Sequence, residues 1–422
     1  NPKTPNMKKS NILIQWISML NTSAATISWK AIVPASLLIA GNLLGVGILA
    51  MPIKIGLSGF VPALVDIILI SAIMLLSAIV IAYRIPAQQS HFDLPSFFEK
   101  ELGVFYRYLA IVCNLILLYG VLIVYLSAIS TILYQLLPYH IARPWLTILY
   151  FLFATALLLS KPDIIKRNNV VLLILILIGF VVLITTGSRL FNPRLLTYSN
   201  WALLPIGLPV AVSTFHFHNV IPTVKRLVNH DMKATSITIA LGVFIGFIIN
   251  VTWVTIVLGS LPPHGHDANN LFYAFIHAQP ATLPMTYLLN SRTFAITGVL
   301  FAGLALTASY VANGIGLFGF ISDLTYHHLH SKNKWLVLTL SFLPPLVITL
   351  IDPHLFLSAI DIVGGIGETI LFIILPMFIL IKLFSNQSKL ITSIAYIILT
   401  IGFIIVGYIF LTKLGLIHLQ VK

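Results

Sequence analysis

Gly41-Asn42-Leu43-Leu44-Gly45-Val46-Gly47-Ile48-Leu49-Ala50-Met51-Pro52 sets three glycines and a proline inside a stretch otherwise apolar enough to cross a bilayer. Glycine and proline are the two worst interior helix formers, and in hydrocarbon every freed N–H and C=O needs another partner. A broken membrane helix is tolerated where it lines a cavity or a ligand site. A second stretch repeats the pattern. Pro205, Gly207 and Pro209 precede Ser213-Thr214-Phe215-His216-Phe217-His218-Asn219-Val220-Ile221-Pro222, with polar residues in mid-span and a proline closing the run. Two interrupted helices in comparable places point to the binding site of a secondary transporter.

The composition agrees. The chain has 422 residues, 59% of them hydrophobic and 8% charged, against roughly 25% charged in soluble domains. This excludes a water-soluble protein and predicts an all-α polytopic membrane protein. Apolar runs near 32–56, 60–83, 108–136, 144–160, 169–187, 200–223, 235–259, 293–319, 335–351, 354–381 and 390–412 predict about eleven transmembrane helices. The first thirty residues carry no compact apolar core followed by a small-residue cleavage site, so no removable signal peptide is expected.

The net charge of +13 invites a nucleic-acid reading, but the charges alternate from loop to loop. With the N-terminus in the cytoplasm, only Lys54, Arg143, Arg189, Arg194, Arg292, Lys413 and Lys422 fall outside. Every other Lys and Arg of the 24 falls inside. That positive-inside bias predicts an inner N-terminus and an outer C-terminus, with the lipid bilayer rather than nucleic acid as partner. Cys113 is the one cysteine and lies in an apolar span, a small buried side chain rather than part of a disulfide framework.

Spans one to five and six to ten form two halves, each opening on its broken helix; five is odd, so the second half enters the membrane inverted. The expected boundaries are 1–30 for a cytoplasmic segment, 31–187 for the first repeat, 188–200 for an outer connector, 200–381 for the second repeat, and 382–422 for an eleventh helix. The inner loop containing Pro95 to Leu102 reads as an amphipathic segment at the membrane surface. His264, His266 and Asp267 in the outer loop, and His327, His328 and His330 in an inner one, lack the count and spacing of a closed metal site. No metal is expected.

At the first break, backbone N–H groups and the positive dipole end of the outer half-helix favour an anion such as an α-carboxylate. Asn42, Gly45, Val46, Gly47 and Ile48 are the candidate ligands there. Carbonyls freed near Ser213 and Thr214 suit an α-ammonium group, and Phe215 and Phe217 suit an aromatic ring. Tyr119, Tyr125, Ser309, Tyr310 and Asn313 are candidates to complete the pocket. The ionisable residues within spans are Asp66, His216, His218, Asp361 and Glu368, with Lys54 near an outer end. Such residues are costly in a membrane and mark function or a hydrogen-bonded polar seam. His218, Glu368, His216 and Asp361 are the candidate proton carriers.

These motifs carry a resemblance. The stretch Gly41 to Pro52 is similar to the first-helix signature of the hydroxy and aromatic amino acid permease family, within the amino acid-polyamine-organocation superfamily, and Ser213 to Pro222 resembles that family's sixth-helix break. Lys54 and Ile55 depart from the small or polar residues usual after the proline, and His216 stands where the family generally has glycine. The resemblance implies a leucine-transporter-like five-plus-five inverted repeat with broken helices one and six, no cofactor beyond a coupling proton, and a bacterial inner-membrane location. The expected activity is proton-coupled import of aromatic amino acids, tyrosine before tryptophan. A sodium-coupled or serine/threonine carrier on the same fold and a non-transporting amino acid sensor are the alternatives. No nucleophile with a partnered base is found, so an enzyme is not expected.

Overall fold

The computed structural model describes residues 28–45, 47–85, 93–136, 141–160, 162–265, 269–330 and 333–417. Among them the chain is helical, with one isolated bridge, Gly59 to Ser199. The helices are α1 (Trp29–Asn42), α2 (Gly47–Ile55), α3 (Phe60–Arg84), α4 (Leu94–Leu102), α5 (Val104–Leu136), α6 (Arg143–Leu158), α7 (Pro162–Gly187), α8 (Leu204–Thr214) and α9 (Ile221–Leu227). Then follow α10 (Met232–Ser260), α11 (Leu271–Ile276), α12 (Thr282–Leu289), α13 (Arg292–Leu329), α14 (Lys334–Ile351), α15 (Phe356–Ile362), α16 (Leu375–Phe384) and α17 (Lys389–Lys413). Eight segments of the described residues are long and apolar enough to cross a membrane, and the bent pair α1–α2 makes a ninth. With the shorter apolar helices Arg143–Leu158 and Ile174–Leu190, each of the expected apolar runs is occupied by helix.

Both sequence-read interruptions are present. Between α1 and α2 the axis bends by 57°. At the second, α8 stops at Thr214, Phe215 and Phe217 leave helical geometry, and a single tight turn over His218–Val220 leads into α9. The freed groups find partners, as hydrocarbon demands. The Trp253 indole N–H donates to the Ile48 carbonyl at 2.8 Å, and the Asn250 amide reaches the Leu43 carbonyl at 3.5 Å. Ala281 N–H donates to the Leu49 carbonyl at 2.8 Å, so the loop between α10 and α13 is laced to the broken helix.

A third irregularity was not foreseen. Between α15 and α16 the helix widens into π turns over Val363–Glu368 and Ile370–Ile374. The widening lets Gly364 lie directly against α8. A Cβ there would fall 1.9 Å from the Pro209 carbonyl oxygen and 2.7 Å from Ser213 Oγ.

Two connecting segments carry helices of their own. The amphipathic segment expected at the surface is α4, and it packs on α5 with Phe97 and Phe98 buried. Asp93 caps its first turn, the Arg84 guanidinium grips the Glu101 carboxylate at 3.0 and 3.1 Å, and Arg107 pairs with Glu99 at 3.0 Å. The loop between α10 and α13 contains α11 and α12, which bury Leu271, Phe272, Leu283 and Met285. His264 there stacks on Phe272 with centroids 4.1 Å apart. His266 and Asp267 lie outside the described residues, as do the side chains of His327 and His328.

Candidate functional site

The two breaks face one another across a small polar cavity of about 40 Å³, room for a few waters and well below the roughly 300–1,000 Å³ of an open ligand pocket. Its walls come from five spans: Asn42, Gly45 and Gly47 at the first break; Val121, Val124 and Tyr125 on α5; Ser213, Thr214, His216 and Asn219 at the second break; Ser309 and Asn313 on α13; Ile360 and Glu368 from α15 and the π stretch. Asn42 ties the breaks together, its amide donating to Asn219 Oδ1 at 3.1 Å and to the His216 carbonyl at 3.4 Å. Gly47 sets how closely α2 crosses α8. A Cβ at that position would lie 2.4 Å from Thr214 Oγ1 and 2.7 Å from Thr214 Cα.

This geometry places the N-terminal end of α2 and the C-terminal end of α8 on one cavity. The N–H groups and positive dipole of a helix start gather at the first, where Ile48 N–H donates to the Gly45 carbonyl at 3.3 Å, and the carbonyls and negative dipole of a helix end at the second. A zwitterion fits that pair of ends.

Glu368 is buried at 1% exposure and is the centre of the ionisable cluster. Ser213 Oγ donates to Glu368 Oε2 at 2.6 Å, and His216 Nδ1 lies 3.1 Å from Glu368 Oε1. The His216 ring stacks on Phe372 with centroids 4.8 Å apart, while its Nε2 is buried without a hydrogen-bond partner. The π turns aim this carboxylate. They carry Glu368 from the same helix as Asp361 into contact with Ser213 and His216.

Residues 29–414 match the model of the tryptophan/tyrosine permease family. The chain belongs to that family. It is therefore a transport protein of the membrane and not an enzyme. Among the permease's relatives, the tyrosine-specific transport system 1 of Haemophilus influenzae is 28% identical over 343 residues, 79% of this chain and 83% of that protein. Tyrosine-specific transport system 2 of the same organism is 26% identical over 348 residues, 78% of this chain and 82% of that protein. A tryptophan-specific transport protein, also from Haemophilus influenzae, is 25% identical over 239 residues, 55% of this chain and 49% of the other. In fold, the permease is similar to a solved manganese transporter of Eremococcus coleocola. That likeness has a TM-score of 0.52 at 16% identity and spans 98% of this chain and 90% of the other.

Of the residues singled out from the permease's sequence, Asn42, Gly45, Gly47, Ser213, Thr214, Ser309, Asn313, His216 and Glu368 line the cavity. Others are placed elsewhere. Ile48 contributes its carbonyl to Trp253 instead, and Val46 lies outside the described residues. Phe215 and Phe217 are wholly buried in the apolar core rather than in the cavity wall. Tyr119 Oη donates to the Leu340 carbonyl at 2.7 Å, which commits it to α14, and Tyr310 Oη pairs with Thr155 at 2.9 Å. The tyrosine that lines the site is Tyr125, and Asn313 donates to its Oη at 3.0 Å.

Two candidate proton carriers also stand apart. His218 is fully buried and contacts Ser77 Oγ at 3.2 Å, outside the cavity wall although its ring stacks on Phe372 at 4.5 Å and lies 6.4 Å from the His216 ring. Asp361 is ion-paired with Lys54 of α2, with side chains 16% and 3% exposed. Lys413 donates to Ser358 Oγ on the same short helix. Both departures from the family pattern thus acquire partners in the structure: Lys54 holds Asp361, and His216 holds Glu368.

Val121, Val124, Asn219 and Ile360 were missed. Val121, Val124 and Tyr125 have the i, i+3, i+4 spacing of one helix face, a signal visible once Tyr125 is chosen over Tyr119.

Proposed function

We propose that this permease imports aromatic amino acids, tyrosine in preference to tryptophan, by proton-coupled alternating access across a bacterial inner membrane, with an inner N-terminus and an outer C-terminus. The observation that carries the reading is the shared cavity: bare main chain at two helix ends and the Glu368–His216–Ser213 cluster line the same small space, whose walls move apart to admit substrate. The relatives specific for tyrosine and tryptophan supply the substrate class.

In this mechanism the substrate carboxylate sits on the N–H groups at the start of α2, near Gly45 and Gly47. Its ammonium lies against the carbonyl end of α8 at Ser213 and Thr214. The ring lies beside Tyr125, Val121 and Val124, in place of the Phe215 and Phe217 contacts expected from sequence. Glu368 takes a proton, His216 shares it across a 3.1 Å contact, and the ammonium and the proton leave together on the inner side. Two five-span halves of inverted topology, each beginning with a broken helix, provide the two states.

The test is uptake of labelled tyrosine into proteoliposomes, with unlabelled amino acids as competitors. An imposed acid-outside gradient is expected to drive accumulation, and tyrosine and tryptophan are expected to compete best. Accumulation that survives collapse of the pH gradient but follows a sodium gradient overturns the coupling, and dominant competition by serine or threonine overturns the aromatic pocket.

A further inference from the structure

Asp66 lies seven residues into α3, about 9 Å from that helix's outer end at 1.5 Å per residue. Its exposure is 0%, and among the described residues neither carboxylate oxygen has a hydrogen-bond partner. A third observation shows that the fold makes room for this carboxyl. A Cβ on Gly207 of α8 would fall 2.5 Å from Asp66 Oδ2 and 2.7 Å from Ile55 Cγ2, so the missing side chain is the space the carboxyl occupies. The group is therefore wedged where α2, α3 and α8 meet, on the outer side of the cavity and apart from the Glu368 cluster.

The charged groups on elements packed against α3 are engaged elsewhere. Lys54 of α2 is paired with Asp361, and α8 has no titratable residue. Lys225 of α9 donates to the carbonyls of Ala82 and Ile85 at 2.7 and 2.6 Å, Arg226 donates to Thr223, and His218 contacts Ser77. Lys382 of α16 donates to the Glu101 carbonyl, Lys233 sits in the first turn of α10, and Arg194 on the outer connector is exposed. An ionised carboxylate with no partner at such a place is the costliest state open to it, and a proton removes that cost.

We propose that Asp66 is a second proton-binding site of the permease: it holds a proton while α2, α3 and α8 are packed together and releases it when their outer ends separate and water enters. The release step rests on the alternating-access reading, whereas the protonated carboxyl in the packed state does not.

Infrared difference spectroscopy on the reconstituted, substrate-free protein at neutral pH reads the protonation directly. Wild-type protein carrying carboxyl-labelled [13C]aspartate is expected to show an isotope-shifted protonated-carboxyl stretch from Asp66. Asp66→Asn should remove that band, and Glu368→Gln should leave it. Linkage gives a second readout with a definite sign. The packed state binds a proton that the unfolded chain releases at neutral pH, so stability falls as pH rises. Asp66→Asn, which keeps the shape and neutrality of the protonated group, should match the wild type near pH 5 and lose part of that decline.

Absence of an aspartate-derived protonated band in wild-type protein overturns the proposal even if the variant does not fold. A band that survives in Asp66→Asn overturns it as well. Failure of proton-driven uptake with the band present would instead count against the coupling mechanism alone.

Discussion

At the scale of single residues, the site is set by one missing side chain and one buried acid. Gly47 lets α2 cross α8 at Thr214, where a methyl group would meet both Oγ1 and Cα. Moving Oγ1 does not relieve the backbone contact, so Gly47→Ala is expected to cost about 1–3 kcal/mol of overpacking and to reduce tyrosine uptake at least tenfold. Adding Thr214→Ser should not restore it. Thermal unfolding in detergent together with initial uptake rates checks both statements. Glu368→Gln keeps an acceptor for Ser213 but removes the titratable carboxyl facing His216 across 3.1 Å. Tyrosine exchange across the membrane should persist in this variant while accumulation against a gradient disappears, and an unchanged accumulation ratio would remove Glu368 from the coupling path. Phe215 and Phe217 show where reading single residues stops. Their burial in the core follows from how the chain turns at the break, and helical periodicity carries no information through a stretch that is not a helix.

At the scale of elements, both interruptions were legible because glycine and proline are poor interior residues whatever surrounds them. The π turns over Val363–Glu368 were not. Gly364, Gly365 and Gly367 read as weak helix, and only the close approach to Pro209 shows why the backbone widens there. Similarly, α4 has the amphipathic pattern of a surface helix, and the pattern alone does not tell lipid from α5 as the apolar partner. The Lys54–Asp361 pair joins α2 to α15, two short helices that border the broken segments. Removing one partner of a buried pair typically costs about 3–5 kcal/mol, whereas replacing both by apolar residues is close to neutral. Lys54→Met and Asp361→Asn should each lower the unfolding temperature, by the smaller end of that range because Asp361 keeps 16% exposure. The double variant Lys54→Met with Asp361→Leu should recover most of the loss, and additive losses would mean that the pair is not the contact that matters.

At the scale of the whole molecule, the orientation in the membrane decides which face each of these groups serves. The span pattern and the alternation of Lys and Arg between loops were both open to sequence reading, since each depends on composition rather than on packing. The proposed orientation would make the connector through Arg194 an outer segment and the turn at Asn386, between α16 and α17, an inner one; both residues are exposed. Cys113 is the one cysteine of the chain and is 1% exposed, so a Cys113→Ala background leaves the rest of the molecule free for single-cysteine labelling. A membrane-impermeant maleimide applied to intact spheroplasts should label Arg194→Cys and leave Asn386→Cys unreacted until the membrane is opened. Wild-type protein, whose thiol is buried, should stay unlabelled in both conditions. The reverse pattern would place the Asp66 carboxyl and the Lys54–Asp361 pair on the cytoplasmic side of the cavity. A proton taken up with substrate from outside would then meet Glu368 and His216 before either of them, and the order of protonation steps would have to be inverted.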